Sequence, residues 1–241
     1  MADRTLVITG GASGLGRGIA EAALARGWAV GLIDRDGDAV ETVASEIGAS
    51  AAAADVTRPA ELTAAFERIV ATYGPITGLI NSAGLTRPAP AASMNPDDWQ
   101  LVVDVNLNGT FYACRAAFPH LAENAAVVNI ASIAATRGLP GRVAYSAAKA
   151  GVVGLTRALA AEWAEHGIRV NALGPSWVDT PLLQGMIRDG ILEDDFNSRV
   201  PLGRMCSIAD VAESALHLLS PGALFITGQT IYIDGGYLWS G

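Results

Sequence analysis

The sequence predicts an α/β protein with a doubly wound, parallel sheet of seven strands covered by helices on both faces. Short apolar runs rich in β-branched residues alternate with longer amphipathic stretches over nearly all 241 residues. The short runs are apolar throughout, which is typical of parallel strands buried on both faces. Strands joined through helices by right-handed crossovers form such a sheet.

The individual elements follow from that alternation. The predicted strands are TLVIT (5–9), AVGLID (29–34), AAAAD (51–55), GLINSAG (78–84), AVVNIAS (126–132), RVNALGP (169–175) and TIYIDGG (230–236). The predicted helices between them span 14–27, 36–47, 59–73, 96–123, 143–166 and 207–219. The third strand is Ala-rich, and its small residues fit a strand better than a linker. Only 181–206 falls outside the alternation of strands and helices, so we expect a single domain, 1–241, with that segment as a substrate-side insertion.

The composition argues against several classes of partner. The chain is 51% hydrophobic and 17% charged, with a mean hydropathy of +0.32, which is typical of a globular protein rich in core. A net charge of −8 and a pI near 4.8 argue against nucleic acid or an anionic membrane as a partner, because both need basic patches. No apolar run approaches the ~18 residues that span a bilayer. The N-terminal residues run straight into a strand without room for a signal peptide, so we expect a cytoplasmic protein.

The cysteines and histidines predict no metal site. Cys114 and Cys206 form no disulfide framework, and they have no metal-ligand spacing with the three histidines.

A glycine-rich turn joins the first strand to the first helix. The segment TGGASGLGRG places Gly10, Gly14 and Gly16 where a pyrophosphate would approach backbone amides at a helix N-terminus. The spacing G-x-x-x-G-x-G differs from the commonest dinucleotide fingerprint. Because the turn follows a strand and opens a helix, it still indicates a Rossmann-like dinucleotide site.

An acidic residue favours NAD over NADP. Asp34 ends the second strand, near the position ~20 residues after the glycine turn where a carboxylate accepts bonds from the adenosine ribose. A carboxylate there repels a 2′-phosphate, and Ser13 stands where a basic residue would pair with one. Arg35 is the residue that could swing onto a phosphate instead.

Lys149 is the only lysine among the 16 Lys and Arg residues, and it lies four residues after Tyr145. On a helix, residues i and i+4 share a face, so the two side chains are presented together. Free tyrosine has a pKa of ~10, too high for an efficient base near neutral pH, and a neighbouring ammonium lowers it. The pair predicts a tyrosine base; a codon preference that left one lysine is the alternative explanation.

Together these motifs resemble the short-chain dehydrogenase/reductase family, in its single-domain branch. The matching segments are TGxxxGxG at 9–16, NSAG at 81–84, Asn106, Ser132, YSAAK at 145–149 and DGG at 234–236. Their order and spacing cover essentially the whole chain.

The resemblance implies a role for each catalytic residue. Tyr145 would take the hydroxyl proton as hydride leaves the alcohol carbon. Lys149 would also bond the nicotinamide ribose, a task that a wide guanidinium fits poorly. Ser132 would hydrogen-bond the substrate oxygen, and Asn106 would hold a water that links Lys149 to solvent.

The resemblance also implies the remaining cofactor contacts. Asp55 and Val56 match the pair that holds adenine, and Thr180 matches the threonine that bonds the carboxamide. The expected cofactor residues are Gly10, Ser13, Gly14, Leu15, Gly16, Asp34, Asp55, Val56, Asn81, Ala83, Gly84, Tyr145, Lys149, Pro175, Val178 and Thr180.

Two positions depart from the family pattern, and the family resemblance also implies an oligomeric state. Ser82 stands where a second Asn is usual, and Ser176 follows Pro175 where the family commonly has Gly. Neither change removes a catalytic atom. The family also implies a homotetramer in which the helices at 96–123 and 143–166 pack between subunits.

Substrate residues are expected beyond the carboxyl ends of the strands. Besides Ser132 and Tyr145, this nominates Ala134, Arg142 and Trp177. Arg142 could bind a carboxylate, sulfonate or phosphate, or several hydroxyls of a polyol; alternatively it is a solvated loop arginine.

Two readings are also open for the wall of the substrate site. Trp177 is either an apolar wall or a packing residue of the insertion. The insertion, 181–206, is either a lid or a helical hairpin that never moves.

The predicted function is that of an NAD-dependent oxidoreductase that interconverts a secondary alcohol (polyol, sugar alcohol or hydroxy acid) and the ketone. An NADPH-dependent reductase of 3-oxoacyl thioesters shares every motif and is the alternative. A nucleotide-sugar epimerase is a weaker alternative, because those relatives usually carry a larger C-terminal substrate domain. A non-catalytic NAD-binding scaffold would be expected to lose Ser132, Tyr145 or Lys149, yet all three are present.

Overall fold

The computed structural model describes residues 4–190 and 196–240. A seven-stranded parallel sheet runs through them in the order β3-β2-β1-β4-β5-β6-β7. The strands are β1 (Thr5–Thr9), β2 (Ala29–Asp34), β3 (Ser50–Ala53), β4 (Ile76–Asn81), β5 (Leu121–Ile130), β6 (Arg169–Pro175) and β7 (Thr230–Ile233). The predicted Rossmann-like α/β fold is confirmed.

Helices cover both faces of the sheet. They are α1 (Gly14–Leu24), α2 (Gly37–Ile47), α3 (Pro59–Tyr73), α4 (Pro96–Val103), α5 (Gly109–Ala117), α6 (Val143–Trp163), α7 (Pro181–Arg188), α8 (Phe196–Arg199) and α9 (Ile208–Leu219). No helix in the described part of the chain is long and apolar enough to cross a bilayer.

The sheet separates two apolar cores, and β1 shows why its strands are apolar throughout. Leu6 and Ile8 point into one core, whereas Val7 points into the other, and all three are fully buried. Successive side chains of a strand face opposite sides, so a strand covered on both faces needs an apolar residue at each position.

The predicted helix at 96–123 is helical as far as His120, but it is not one continuous α-helix, and its last three residues belong to β5. After α4, a π-helical turn runs over Asp104–Asn108, and β5 already begins at Leu121. Asn106 explains the turn: its side-chain Nδ2 donates to the Val102 carbonyl, 2.9 Å away, in place of a regular backbone bond. Pro119 then ends the helical run in a 3₁₀ turn.

Four predicted strands are shorter than expected at their carboxyl ends. β3 ends at Ala53, β4 at Asn81, β5 at Ile130 and β7 at Ile233, because the residues beyond these points leave the sheet as loops. The loops after β3 and β4 line a crevice beside β1, where neighbouring crossovers run in opposite directions. This is the place where doubly wound sheets bind ligands.

The insertion at 181–206 contains two short helices, α7 and α8. Thr180 caps α7, because its hydroxyl accepts from the Leu183 backbone amide at 3.4 Å. Within 181–206, residues 191–195 lie outside the described part of the chain. Its role as a lid and the single-domain boundary at 1–241 stay predictions.

Candidate active site

The glycine turn packs too tightly for side chains at two positions. Gly10 has a φ of +70°, and a Cβ there would lie 2.7 Å from the Ala83 backbone. A Cβ on Gly16 would lie 2.1 Å from the Gly10 carbonyl oxygen. Gly16 therefore brings α1 against the turn and is not among the residues that line the crevice, so its cofactor contact stays a prediction.

The Asp34 carboxylate is fixed at the end of β2. Its Oδ2 accepts from the Ala12 backbone amide at 3.1 Å, and its Oδ1 accepts from the Asp36 amide at 3.2 Å. These bonds hold the carboxylate beside the glycine turn, while the neighbouring Arg35 is exposed. The Asp34 carboxylate thus lies on the wall of the crevice, and the long basic side chain of Arg35 is next to it.

These features border a cavity of about 470 Å³. Among its lining residues are ten of the predicted cofactor positions: Gly10, Ser13, Gly14, Leu15, Asp34, Asp55, Val56, Ala83, Gly84 and Thr180. The glycine turn and the carboxylate beside it suit a pyrophosphate and a ribose. The residues present fit a dinucleotide.

Asn81 does not line that cavity, although it was predicted to contact the cofactor. It is 3% exposed, and its Nδ2 donates to Asn129 Oδ1 at 2.8 Å and to the Cys114 sulfur at 3.1 Å. Asn129 in turn donates to the Thr156 hydroxyl at 3.0 Å. Asn81 therefore links β4 to β5 and, through it, to α6.

Tyr145 and Lys149 lie on the first two turns of α6, and the lysine is almost sealed. Lys149 is 3% exposed, and its Nζ donates to the Ile130 carbonyl at 2.7 Å. The same Nζ lies 5.6 Å from the centre of the Tyr145 ring. Burial lowers the pKa of Lys149 from its ordinary 10.5 to about 8.

Ser132 is a polar neighbour of the Tyr145 phenol, and its hydroxyl favours the ionised form of the phenol. Ser132 follows β5 and is itself oriented, because its Oγ accepts from the Ala134 backbone amide at 3.1 Å. Burial raises the pKa of Tyr145, while the Ser132 hydroxyl and the charge of Arg142 lower it. The net direction is upward, opposite to the expected effect of Lys149, because desolvation outweighs the charges around the phenol.

Asn106 lies in the interior rather than on the surface. It is 0% exposed, and its Nδ2 also donates to the Leu85 carbonyl at 2.8 Å. Its Oδ1 is buried and has no hydrogen-bond partner in the described part of the chain. A Cβ at Gly84 would lie 2.8 Å from that Oδ1 and 3.7 Å from Lys149 Nζ, so both polar atoms border the same glycine.

A second cavity, of about 320 Å³, opens on the other side of Tyr145 and Ser132. Leu15 and Thr180 line both cavities, so the two adjoin. Pro175 and Val178, predicted as cofactor contacts, line this second cavity.

Four of the five predicted substrate residues line the second cavity, and one does not. Trp177 is there and packs edge-on against Tyr237, with ring centres 4.4 Å apart, so it is both a wall and a packing residue. Ala134 is 4% exposed and is not among the lining residues; Ile133 takes that place. Ala134 reaches the site only through its backbone bond to Ser132.

Arg142 is buried, so its interpretation as a solvated loop arginine is wrong. It is 8% exposed and precedes α6. Its Nη1 donates to the Thr86 hydroxyl at 3.1 Å and lies 3.1 Å from the Met186 sulfur on α7. Burial lowers the pKa of its guanidinium, and the neighbouring Tyr145 opposes that effect.

Sequence reasoning missed several lining residues of the second cavity. Thr86, Leu183, Met186 and Arg199 all line it. Leu183 and Met186 are apolar residues of α7, which belongs to the predicted substrate-side insertion. That pattern could have indicated them as lining residues. Nothing in the local sequence around Thr86 marks it as a partner of Arg142.

Comparisons with known proteins identify the family. Residues 10–238 match the family described as Enoyl-(Acyl carrier protein) reductase. D-threitol dehydrogenase of Mycolicibacterium smegmatis is 38% identical over 97% of this chain and 92% of its own length. The 2-dehydro-3-deoxy-L-rhamnonate dehydrogenase (NAD(+)) of Sphingomonas sp. is 38% identical over 98% of this chain and 95% of its own. The chain belongs to the short-chain dehydrogenase/reductase family.

A solved structure of this family agrees with the fold. The 3-ketoacyl-(acyl-carrier-protein) reductase from Brucella melitensis, complexed with NADH, is 36% identical and superposes with a TM-score of 0.91 over 98% of both chains. As a short-chain dehydrogenase/reductase, the protein is an oxidoreductase that uses a nicotinamide cofactor.

The two departures from the family pattern lie on different cavities of this short-chain dehydrogenase/reductase. Ser82 lines the dinucleotide crevice, and its backbone amide donates to the Thr9 carbonyl at 3.2 Å. Ser176 lines the second cavity, and its amide donates to the Ile233 carbonyl at 3.0 Å. Both residues are thus held through their backbone, so each substitution changes a wall of its cavity rather than the path of the chain.

Proposed function

We propose that this protein is an NAD(H)-dependent dehydrogenase that interconverts a secondary alcohol and its ketone, with Tyr145 as the catalytic base. One observation carries the proposal: Tyr145 and Ser132 are neighbours on the wall of the second cavity, and that cavity adjoins the dinucleotide crevice. A carbinol in that cavity therefore meets a proton acceptor and a hydroxyl together.

In the proposed reaction the alcohol loses a proton and a hydride. The hydroxyl proton passes to the Tyr145 phenolate, and the C–H bond electrons leave with hydrogen as hydride, so the carbinol becomes a carbonyl. When bound, NAD supplies the oxidant by accepting that hydride. Ser132 donates a hydrogen bond to the substrate oxygen and steadies its charge while the proton moves.

Lys149 and Asn106 support the base from the interior side. The Lys149 ammonium is positioned by the Ile130 carbonyl, close to the phenol and next to Gly84, which lines the crevice. The unpartnered Oδ1 of Asn106 faces the same glycine and is placed to accept a hydrogen bond. We infer that these two side chains relay the proton of Tyr145 toward solvent.

Asp34 supports NAD rather than NADP. Its carboxylate is fixed by two backbone amides at the wall where the adenosine ribose would bind, and a 2′-phosphate there would face a negative charge. One relative carries NAD(+) in its name, and the superposed reductase was solved with NADH.

The substrate class we propose is a polyol, a sugar alcohol or a hydroxy acid. The names of two relatives, a threitol and a rhamnonate dehydrogenase, describe a neutral polyol and a sugar acid. The alternative, an NADPH-dependent 3-oxoacyl-thioester reductase, is favoured by the likeness to the Brucella melitensis reductase. A preference for NADPH with an oxoacyl thioester over NADH with a simple ketone would support that alternative.

The assembly and the cellular location are proposals as well. We expect a homotetramer in the cytoplasm, and the exposure of Trp99 and Phe111, on α4 and α5, supports burial of that face between subunits. Light scattering on the purified protein measures the assembly directly.

The deciding experiment is NAD reduction on a panel of polyols, sugar alcohols and hydroxy acids between pH 7 and 10. We expect NADH formation with the wild type and none with Tyr145→Phe, which should still bind NADH. Equal rates with both proteins would refute Tyr145 as the base. Complete absence of wild-type turnover on a broad panel would instead favour a non-catalytic NAD-binding protein.

A further inference from the structure

A positive charge lies buried in the second cavity, and no acid in the described part of the chain balances it. Arg142 is 8% exposed, and its side-chain contacts are two neutral groups, the Thr86 hydroxyl and the Met186 sulfur. No carboxylate of residues 4–190 or 196–240 forms an ion pair with it. Removing a charge from water is unfavourable unless a partner compensates, and a guanidinium does not lose its proton.

A comparison within the chain shows that this is not how the fold treats buried arginines in general. Arg169 is 7% exposed, and both of its Nη groups donate to backbone carbonyls, those of Ile226 and Ser220. That side chain ties the start of β6 to a neighbouring loop. Arg142 makes no comparable backbone bond with its side chain, so the fold does not account for its charge.

Two donors of Arg142 remain open. Only Nη1 is engaged, whereas Nε and Nη2 donate to no residue in the described ranges, and neither atom is fully buried. Nε and Nη2 form the edge of a guanidinium that pairs in parallel with two oxygens of a carboxylate, sulfonate or phosphate. The open edge therefore has the geometry of an oxyanion receptor.

The position of this edge relates it to the base. Arg142 and Tyr145 are three residues apart at the start of α6, and residues at this spacing are neighbours on a helix. Both line the second cavity, and the charge of Arg142 acts on the phenol. The other walls are largely apolar, with Leu139, Pro140 and Leu183 among them. Arg199 also lines this cavity, where it packs over the Trp177 ring, so Arg142 is the cavity's charged group nearest in the chain to the base. A charge at this place can set the orientation of a ligand relative to Tyr145.

We infer that Arg142 binds an anionic group of the substrate while Tyr145 acts on a hydroxyl a few bonds away. This inference rests on the proposed function and narrows it to short hydroxy anions: hydroxy acids, hydroxy sulfonates or hydroxyalkyl phosphates. Neutral alcohols and polyols leave the guanidinium without a counter-charge, so they bind more weakly.

The test compares substrates that differ only in charge. A 3-hydroxy acid, the sulfonate and the phosphate of the same carbon chain, and the amide of the acid are oxidised by the wild type at one pH. The variants are Arg142→Gln, Arg142→Lys and, as a matched control, Arg137→Gln; Arg137 packs on the Tyr237 ring and does not line the cavity. The quantity compared is kcat/KM for each anion divided by kcat/KM for the amide.

We expect the wild-type ratio to be at least tenfold for one of the three anions, which identifies the anion class. Arg142→Gln should remove that preference mainly through a higher KM, because the lost contact is present in both ground and transition states. Arg142→Lys should retain part of it, and Arg137→Gln all of it. A wild-type ratio near one, or an unchanged ratio in Arg142→Gln, overturns the inference. Should Arg142→Gln fail to fold, an unchanged ratio in Arg142→Lys overturns it, because lysine lacks the two-donor edge.

A binding measurement separates this inference from the proposed function. Calorimetry on Tyr145→Phe in the presence of NADH compares the affinity of the oxo anion with that of its amide, with and without Arg142→Gln. A preference for the anion that Arg142→Gln removes supports the receptor even where the wild type shows no turnover, which refutes the base alone. Equal affinities for the anion and the amide refute the receptor alone.

Discussion

Because the chain has only one lysine, the effect of burial on the pKa of an active-site group can be measured at Lys149. Lys149 is 3% exposed, its Nζ donates to a backbone carbonyl, and no described carboxylate pairs with it. Desolvation disfavours its charged form, and its pKa falls from 10.5 to about 8. The difference corresponds to about 3 kcal/mol between the two protonation states.

The assay uses the fact that one lysine gives one signal. In protein labelled with ¹⁵N-lysine, the Nζ resonance of Lys149 should titrate near pH 8, and near 10.5 after unfolding in urea. Titration of the folded protein within half a pH unit of the unfolded value would refute the reasoning, because it would show that the ammonium is still solvated.

The same protonation has a defined effect on stability. Between pH 8 and 10.5 the unfolded chain holds the Lys149 proton and the folded chain does not, so stability rises with pH in this window. The contribution is complete above pH 10.5 and is lost as the pH falls through about 8. We expect the free energy of unfolding to gain about 3 kcal/mol from pH 7 to 10.5, relative to Lys149→Met. Both proteins should carry Tyr145→Phe, so that the phenol does not titrate in the same range.

Further predictions concern the cofactor wall, the base and the glycine turn. Asp34→Ala should reduce the preference for NAD over NADP at least tenfold, since a charged hydrogen bond contributes about 1.5–3 kcal/mol; kcat/KM for both cofactors measures this, with Asp36→Ala as the control, and an unchanged ratio would place discrimination elsewhere. Lys149→Arg should lose most activity although it keeps the charge, because a guanidinium does not fit the space beside Ile130 and Gly84; near-normal steady-state rates would contradict this. Gly16→Ala should lower the free energy of unfolding by about 2–3 kcal/mol and weaken NADH binding, because its Cβ would lie 2.1 Å from a carbonyl oxygen; urea denaturation and NADH fluorescence measure the two effects, and wild-type values for both would mean that the turn can open. Arg142→Gln should move the rise of kcat/KM with pH to more alkaline values on a neutral alcohol, because Arg142 lowers the pKa of Tyr145; an unchanged profile would show that the guanidinium does not act on the phenol.

Local sequence patterns determined the sheet, the glycine turn and the catalytic pair. Apolar runs place β1, β2 and β6 at the predicted residues, because a strand buried on both faces needs apolar side chains at every position. The close approaches at Gly10 and Gly16 explain why the turn contains glycine. The spacing of Tyr145 and Lys149 is set by one turn of a helix, which depends only on neighbours in the chain.

The tertiary structure alone decided which of these polar groups are buried and what faces them. Asn106 lies in the interior because of a π-helical turn, which the hydrophobic pattern of the sequence does not predict. Asn81 points away from the crevice and donates to Asn129. Arg142 is buried by Thr86 and Met186, which lie 56 and 44 residues away in the chain. Desolvation depends on such distant neighbours. For that reason the sequence by itself determined the kinds of catalytic groups, whereas only the packing decided their pKa directions and left one guanidinium edge open to the substrate cavity.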